Sequence, residues 1–298
     1  MKKLFLIALV CLAAGCEDAA PPDLVSVAEA STITCQTCSN VTPAQPVILV
    51  HGRNDTSARW NTLVTNWSAK GYTENTNLFR IDLATYCTSN TFCAMLPAPD
   101  GTGATYVNES YANCLKRYID EKVPCAGDPL VCPDVDLVTH SQGGVTARYY
   151  ARFLAAPRNV NDMSNMSGPL NGIKNCGLAG ACTGVNPEDC PDSVFMHKLN
   201  GVSPQGDGTN DETPSASSIG PVHYDAVVST GDITISPWCT AYYMLNPQTQ
   251  QGDDYNCKTP NYTLDPDADS CKLTNVQHLV IPTNTTAINH AYCQINKE

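Results

Sequence analysis

The sequence predicts an α/β fold: a mostly parallel, doubly wound sheet of about six strands with helices on both faces. Residues 46–50 and 135–139 are short, largely apolar runs, which are typical of central parallel strands buried on both faces. Helical spacing follows each run, from Trp60 to Trp67 after the first and over residues 145–155 after the second. Strands that alternate with helices indicate βαβ units and therefore a parallel sheet.

Further strands are expected along the chain at residues 78–83, 223–230 and 275–281, with a weaker candidate at residues 160–166. The intervening segments 168–191 and 201–221 are rich in Gly, Pro, Asn and Cys and are too long to be simple connections. We expect them to be surface loops that disulfides pin and that shape a substrate cleft.

The beginning of the chain has the form of an export signal. Residues 1–15 combine two lysines with an apolar run that is too short to span a bilayer. The run ends in Leu-Ala-Ala-Gly followed by Cys16, which resembles the bacterial lipobox and predicts acylation of Cys16. The alternative is an ordinary signal peptide that is cut nearby. Both alternatives predict an extracytoplasmic protein, either a bacterial cell-surface or outer-membrane lipoprotein or a secreted protein.

The mature chain is expected to have two parts. Residues 16–44 are rich in Ala, Pro, Ser and Thr and lack an apolar period, which predicts a flexible tether. Residues 45–298 are long enough for one α/β domain with a single sizeable core.

Cysteine usage supports export. The chain has 16 cysteines. Setting aside Cys11 in the signal and Cys16 leaves an even number, as expected if the others form disulfides in an oxidising compartment. Sequence does not determine the connectivity. Because short loops cost least to close, proximity suggests Cys35 with Cys38, Cys87 with Cys93, and Cys125 with Cys132.

The chain is acidic, with a formal net charge of −12. Such a surface repels nucleic acid and anionic lipid, so no nucleic-acid partner is expected, and membrane attachment would come only through a lipid on Cys16. The Cys35-x-x-Cys38 pair has no second pair at zinc-ligand spacing. We expect a monomer that needs neither a cofactor nor a metal.

The sharpest motif is Thr139-His140-Ser141-Gln142-Gly143, between a predicted strand and a predicted helix. A serine on such a turn has a strained backbone, and small residues two positions away relieve the crowding. Gly143 meets this pattern, whereas Thr139 stands where Gly is usual. The helix N-terminus would face negative charge that develops during acyl transfer. The arrangement resembles the nucleophile elbow of α/β hydrolases and predicts Ser141 as a nucleophile.

A serine nucleophile needs a base and a carboxylate that orients the base, and in α/β hydrolases these follow in the order Ser, acid, His. Asp232 comes directly after the predicted strand 223–230, so its carboxylate would lie at the same sheet edge as Ser141. Asp225 lies inside that strand and is less suitable. Asp232 is therefore the predicted acid.

Two histidines, His278 and His290, follow the acid. His278 falls inside the predicted strand 275–281, where its ring would point into a face of the sheet. His290 falls in the segment after that strand, from which it can be presented to Ser141. The pattern therefore predicts His290 as the base.

An oxyanion hole needs two backbone N–H groups. Gln142, directly after the nucleophile, is expected to supply one of them. Arg53 is expected to supply the other, since Gly52 allows the bend that would turn the Arg53 amide inward.

Three stretches carry a family resemblance: V-I-L-V-H-G at residues 47–52, V-D-L-V-T-H-S-Q-G-G at residues 135–144, and the approach to Asp232 from residue 193 onward. The chain resembles small secreted bacterial triacylglycerol lipases, the lipase class 2 group of the α/β-hydrolase superfamily. The resemblance spans roughly residues 45–292. It implies a catalytic domain that cleaves carboxylic esters of acyl lipids through an acyl-enzyme, as a lipase or carboxylesterase.

Other activities fit the same residues. A polyester depolymerase, a thioesterase or an acyltransferase would keep the triad and change the substrate or the acceptor. From a different class, the chain could be a surface-bound binding scaffold without catalysis. The complete set of serine, acid and histidine argues against that reading.

Overall fold

The computed structural model describes residues 35–39, 41–89, 96–97, 105–127, 131–173, 187–189, 193–200, 222–235, 241 and 268–297. The predicted signal at residues 1–15, Cys16 and the predicted loop 201–221 lie outside these residues. The described residues belong to one compact unit, Thr32–Glu298. No helix within the described ranges is long and apolar enough to cross a membrane.

Eight strands are present in the described residues, in two sheets. In chain order they are β1 Val47–Val50, β2 Leu78–Ile81, β3 Leu96–Pro97, β4 Thr105–Tyr106, β5 Val135–His140, β6 Val160–Met166, β7 His223–Ser229 and β8 Ala268–Leu273. Six of them form a sheet with the order β2-β1-β5-β6-β7-β8, and every neighbouring pair is parallel. The short strands β3 and β4 pair separately as an antiparallel ribbon.

Helices connect the strands. The α-helices are α1 Asn61–Ser68, α2 Leu83–Ser89, α3 Val107–Lys122, α4 Gln142–Tyr149, α5 Val194–Leu199 and α6 Thr285–Gln294. Short 3₁₀ helices span Ser57–Trp60, Pro187–Asp189 and His278–Thr283, and a π-helical turn at Tyr150–Leu154 continues α4.

Apolar residues cover both faces of the sheet. In β1, Ile48 and Val50 join the core beneath α3 and α4, while Val47 and Leu49 join the core beneath α1 and α6. Successive side chains of a strand point to opposite faces, so a continuous apolar strand requires helices on both sides. The predicted fold class, a parallel sheet of about six strands with helices on both faces, is confirmed.

One predicted strand is wrong. Residues 275–281 do not form a strand; the last strand is β8, which ends at Leu273, and a 3₁₀ helix begins at His278. The apolar run is not a core strand, because Leu279 and Val280 are exposed. Pro282, which lacks a backbone donor, also lies in that 3₁₀ helix. The weaker candidate at residues 160–166 is β6, a central strand of the sheet.

The described cysteines form four disulfides: Cys35–Cys271, Cys38–Cys293, Cys87–Cys114 and Cys125–Cys132. Only the predicted pair Cys125–Cys132 is confirmed. Cys35 with Cys38 and Cys87 with Cys93 are wrong, because Cys35, Cys38 and Cys87 each pair with a cysteine farther along the chain.

The segment before β1 is attached to the domain. Its two disulfides reach β8 and α6, and the Val41 backbone exchanges two hydrogen bonds of 3.0 Å with the Tyr292 hydroxyl. The predicted tether over residues 16–44 therefore differs from the structure over its last part, from Cys35 onward.

Candidate active site

Ser141 lies where the sequence predicts an elbow. It directly follows β5 and is the N-cap of α4, with φ 54° and ψ −133°. Positive φ is uncommon for a residue other than Gly and marks local backbone strain. All six residues of β5 are buried, whereas Ser141 is partly exposed. The strained turn thus presents a serine hydroxyl at the carboxyl edge of the sheet.

Small residues allow this turn. A Cβ on Gly52 would lie 2.5 Å from the Ser141 Cβ, and a Cβ on Gly143 would clash with the Val50 carbonyl oxygen. Thr139, which departs from the usual Gly, is accommodated because its hydroxyl donates to the Asn165 side-chain oxygen at 2.8 Å. The loop after β1 therefore packs directly against the serine.

Asp232 follows β7, and its side chain is completely buried. Its Oδ1 accepts hydrogen bonds of 2.9 Å from the Thr234 and Ile235 amides, and its Oδ2 accepts from the Ser167 hydroxyl and from the His278 Nδ1 at 2.7 Å. Burial alone would raise the pKa of Asp232, but these hydrogen bonds, the one from His278 foremost, outweigh burial and hold the pKa below its ordinary value. The group is therefore a carboxylate with four donors around it.

The histidine beside this carboxylate is His278, which lines the same cavity as Ser141. Because a carboxylate can only accept, the His278 Nδ1 carries the proton, and Nε2 is left to accept one. The His278 carbonyl oxygen also accepts a hydrogen bond of 3.2 Å from the His140 Nε2. His278 is thus held both by its ring and by its backbone.

The predicted base, His290, is not at this site. It is completely buried in α6, where its Nε2 pairs with the Asp225 Oδ1 at 2.8 Å and its Nδ1 accepts a 2.8 Å hydrogen bond from the Gln36 amide. The structure therefore does not bring His290 together with Ser141 and Asp232, and the histidine that it places in the cavity with Ser141 is His278. The error has a clear cause: the predicted strand 275–281 would have turned His278 into the sheet, but that segment is a 3₁₀ helix.

His140 is a buried neighbour of the site. Its ring centre lies 4.6 Å from that of His278. Burial, together with the nearby His278, lowers the pKa of His140 well below its ordinary value. A neutral His140 donates through Nε2 to the His278 carbonyl, so it positions His278 without adding charge.

The loop after β1 is held by His51. The Leu83 amide donates to the His51 Nε2 at 3.0 Å, so the His51 proton lies on Nδ1 and is donated to the Gly52 carbonyl oxygen at 2.7 Å. Arg53 and Gln142, the predicted oxyanion-hole residues, both line the cavity that contains Ser141. Gln142 begins α4, where backbone N–H groups have no acceptor within the helix.

The cavity has a volume of about 550 Å³. Its apolar lining comes from Pro169, Ile173, Ile233, Ile235 and Leu279, and its charged lining from Arg53, Asp55 and Asp189. Residues of the predicted cleft loop 168–191 therefore do contribute. Among the described residues, no group of three or more His, Cys, Asp or Glu side chains is arranged to hold a metal ion.

Sequence reasoning missed two polar residues of the site. Ser167 follows β6 at the carboxyl edge of the sheet, with φ 53°, and holds Asp232. Asp189 ends a 3₁₀ helix in a segment that was predicted only as a loop. For Ser167 a signal was available, since a polar residue directly after a central strand lies at the edge where α/β proteins place their sites.

No protein-family profile matches the chain, and no curated protein matches it. Solved structures resemble it. A carboxylesterase of Bacillus subtilis, CesB, is 13% identical over 87% of this chain and 86% of its own, with a TM-score of 0.43. An α/β-hydrolase enzyme from a lagoon-sediment metagenome is 15% identical over 86% of this chain and 94% of its own, with a TM-score of 0.45. A bromoperoxidase of Bacillus anthracis is 13% identical over 86% of this chain and 93% of its own, with a TM-score of 0.46.

The chain's own sheet order and serine turn define its fold, which is that of the α/β hydrolases.

Proposed function

We propose that this protein is a serine hydrolase that cleaves carboxylic esters of acyl lipids, with Ser141 as nucleophile, His278 as general base and Asp232 as the carboxylate that orients the base. One observation carries the proposal: Ser141 and His278 line one cavity, while the His278 Nδ1 is bonded to a buried carboxylate. Serine hydrolysis needs a base that can reach the serine and a carboxylate that orients the base, and these two contacts support that role.

In the proposed reaction, the His278 Nε2 takes the proton of the Ser141 hydroxyl as Oγ attacks the ester carbonyl carbon. The resulting oxyanion is stabilised by the backbone N–H groups of Arg53 and Gln142. The C–O bond to the alcohol then breaks, and His278 returns the proton to the leaving alcohol. Water, deprotonated by His278, attacks the acyl-enzyme; the bond between the acyl carbon and Oγ breaks, His278 returns the proton to Oγ, and the acid is released.

The apolar lining supports an acyl substrate. Ile233 is 82% exposed and Leu279 is 58% exposed, so large apolar side chains stand open to solvent beside the acid and the base. Apolar contact of this kind suits the acyl chain of a lipid ester. The lipase class 2 resemblance of the sequence agrees with this substrate class.

We also propose an extracytoplasmic location, attached through a lipid on Cys16 or free, and a monomeric state. Four disulfides support this location, because disulfides persist in oxidising compartments and are rare in the reducing cytosol.

A fluorophosphonate probe tests the catalytic serine. We expect the wild type to be labelled and Ser141→Ala to stay unlabelled. Absence of labelling on the folded wild type would instead identify a binding scaffold. If the wild type is labelled, its rates of hydrolysis of p-nitrophenyl esters with short and with long acyl chains then distinguish an esterase from a lipase.

A matched pair of variants tests the histidine. His278→Ala should lower kcat for p-nitrophenyl butyrate by about 10⁴-fold or more, because the base is removed. His290→Ala should keep kcat close to the wild-type value and lower Tm, because it leaves Asp225 buried without its partner. The reverse result would return the catalytic role to His290.

A further inference from the structure

Asp189 is a buried acid that the proposed mechanism does not use. It ends the 3₁₀ helix Pro187–Asp189, is only 3% exposed and lines the catalytic cavity. Its backbone carbonyl accepts a 2.7 Å hydrogen bond from the amide of Ile173, which also lines the cavity. The Asp189 carboxyl group therefore belongs to the lining of the cavity that contains Ser141.

Among the described residues, little of the hydrogen-bonding capacity of the Asp189 carboxyl group is used. The Asn108 Nδ2 donates to the Asp189 Oδ1 at 2.9 Å and is its only donor in the part of the chain that the structure describes. An ionised carboxylate can accept about four hydrogen bonds. Burial, opposed by Asn108 and Arg53, raises the pKa of Asp189 to about 6. A desolvated acceptor of this kind gains from a donor brought by a ligand.

The charges of the cavity favour a neutral donor. Arg53 lines the same cavity and attracts the Asp189 carboxylate. Asp55, the other acid in the lining, is paired with Arg59 and accepts a hydrogen bond from the Thr56 amide. A cationic ligand would gain from Asp189 but would also meet Arg53, whereas a hydroxyl can donate to the carboxylate without this repulsion.

We propose that Asp189 determines substrate specificity by accepting a hydrogen bond from a free hydroxyl on the alcohol part of the ester. In an acyl lipid, the acyl chain is apolar and only the alcohol part carries free hydroxyls. The preferred substrates are therefore esters of a polyol, such as monoacylglycerols, over esters of simple alcohols. This inference rests on the proposed ester hydrolysis.

Asp189 also holds its 3₁₀ helix to α3 through Asn108, so the test has to separate recognition from structure. Asp189→Asn keeps an Oδ1 that can accept from Asn108 and replaces the second acceptor with an NH₂ group. Glu188→Gln is the matched control. Glu188 is a neighbouring buried acid that accepts a 2.7 Å hydrogen bond from the backbone N–H of Asn108, and it does not line the cavity.

The experiment measures kcat/KM at pH 8 for glycerol monobutyrate and for ethyl butyrate, which share an acyl group. In Asp189→Asn we expect the ratio of glycerol ester to ethyl ester to fall by about 10-fold or more, with the ethyl ester value within about 3-fold of the wild type. In Glu188→Gln the ratio should equal that of the wild type.

Equal losses on both esters in Asp189→Asn would assign Asp189 a structural role and overturn the inference, as would an unchanged ratio. Better turnover of butyrylcholine than of the glycerol ester, lost in Asp189→Asn, would overturn it in favour of a cationic alcohol. If the folded wild type cleaves none of these esters and its Ser141 is not labelled by fluorophosphonate, the proposed function itself fails.

Discussion

Single side chains around the Asp232 carboxylate decide its charge and direction. Its four donors come from three segments: Ser167 after β6, the turn after β7, and His278. Each hydrogen bond to a charged acceptor stabilises the charged form more than a bond between neutral groups would. The orientation of His278 thus depends on the residues that hold the Asp232 carboxylate.

Removing the Ser167 hydroxyl tests this arrangement. Ser167→Ala should lower kcat by about 10-fold, because Asp232 loses one charge-assisted hydrogen bond and becomes easier to protonate. The control is Ser164→Ala in β6, the strand that precedes Ser167, since the Ser164 hydroxyl donates at 2.5 Å to Asp225, the partner of His290. It should lower Tm and leave kcat within about 2-fold of the wild type. Equal kcat losses in both variants would contradict the assigned role of Ser167.

At the scale of elements, the site depends on how closely the loop after β1 approaches the turn before α4. Gly52 touches Ser141, and Gly143 touches the end of β1. The loop and the elbow therefore have to be in place together for Arg53, Gln142 and Ser141 to face one cavity.

Gly52→Ala tests this contact. The added methyl group would overlap the Ser141 Cβ, so either the elbow or the loop has to shift. We expect kcat/KM to fall by about 100-fold or more, because small displacements of catalytic groups are costly. Gly71→Ala is the control: its φ of 99° also strains an added side chain, but it lies against Pro43. Gly71→Ala should lower Tm and retain kcat/KM. A fully active Gly52→Ala would show that the close contact between Gly52 and Ser141 is not needed.

At the scale of the whole molecule, two disulfides join the segment before β1 to the last strand and the last helix. They close loops with sequence separations of 236 and 255 residues, against 7 residues for Cys125–Cys132. Loop-closure entropy assigns about 5 kcal/mol to the first closure of so long a loop and about 2 kcal/mol to the short one. Among the four described disulfides, the two that join the ends of the domain should therefore contribute most to stability.

Serine variants of the two disulfide sets test this difference. Replacing Cys35, Cys38, Cys271 and Cys293 together should lower Tm by about 10 °C or more, measured by calorimetry. Replacing Cys125 and Cys132 should lower Tm by less than half as much. A larger loss from the short disulfide would contradict the loop-length argument.

One titrating histidine also connects three neighbouring strands of the sheet. His223 at the start of β7 lies 2.8 Å from Asp162 of β6 and 2.8 Å from Asp269 of β8, which also pairs with Lys297. The hydrogen bond to Asp162 first, and then that to Asp269, raises the pKa of His223 above its ordinary value of 6.5 despite partial burial. Its contribution to stability is full below pH 6.5 and is lost as pH rises through the raised pKa.

His223→Gln tests this linkage. The Tm of the wild type should fall more steeply than that of His223→Gln as pH rises from 6 to about 9, because only the wild type loses the charged histidine. Both proteins would be followed by calorimetry at constant ionic strength. Parallel curves would show that His223 is not ionised between its two carboxylates.

The sequence predicted the central strands, the helices on both faces and the positions of Ser141 and Asp232, because these depend on short patterns. The buried strand, the serine and the helix that follows occupy about 20 consecutive residues, so one local pattern predicts all three. The last part of the fold was harder to predict. Edge strand β8, Ala268–Leu273, has a mixed polar sequence, while the more apolar residues 278–283 form a half-buried 3₁₀ helix.

By itself, the sequence determined the class of sheet, the serine turn and the acid after β7, because neighbouring residues specify each of these. Only the tertiary structure decided which histidine meets Asp232 and which partners Cys35, Cys38 and Cys87 have. His278 and His290 both follow the acid, yet one lies in the cavity with Ser141 and the other is buried with Asp225. The path of the chain around the sheet makes that difference, since the two histidine–carboxylate pairs and the disulfides of Cys35 and Cys38 join residues that are 46 to 255 positions apart.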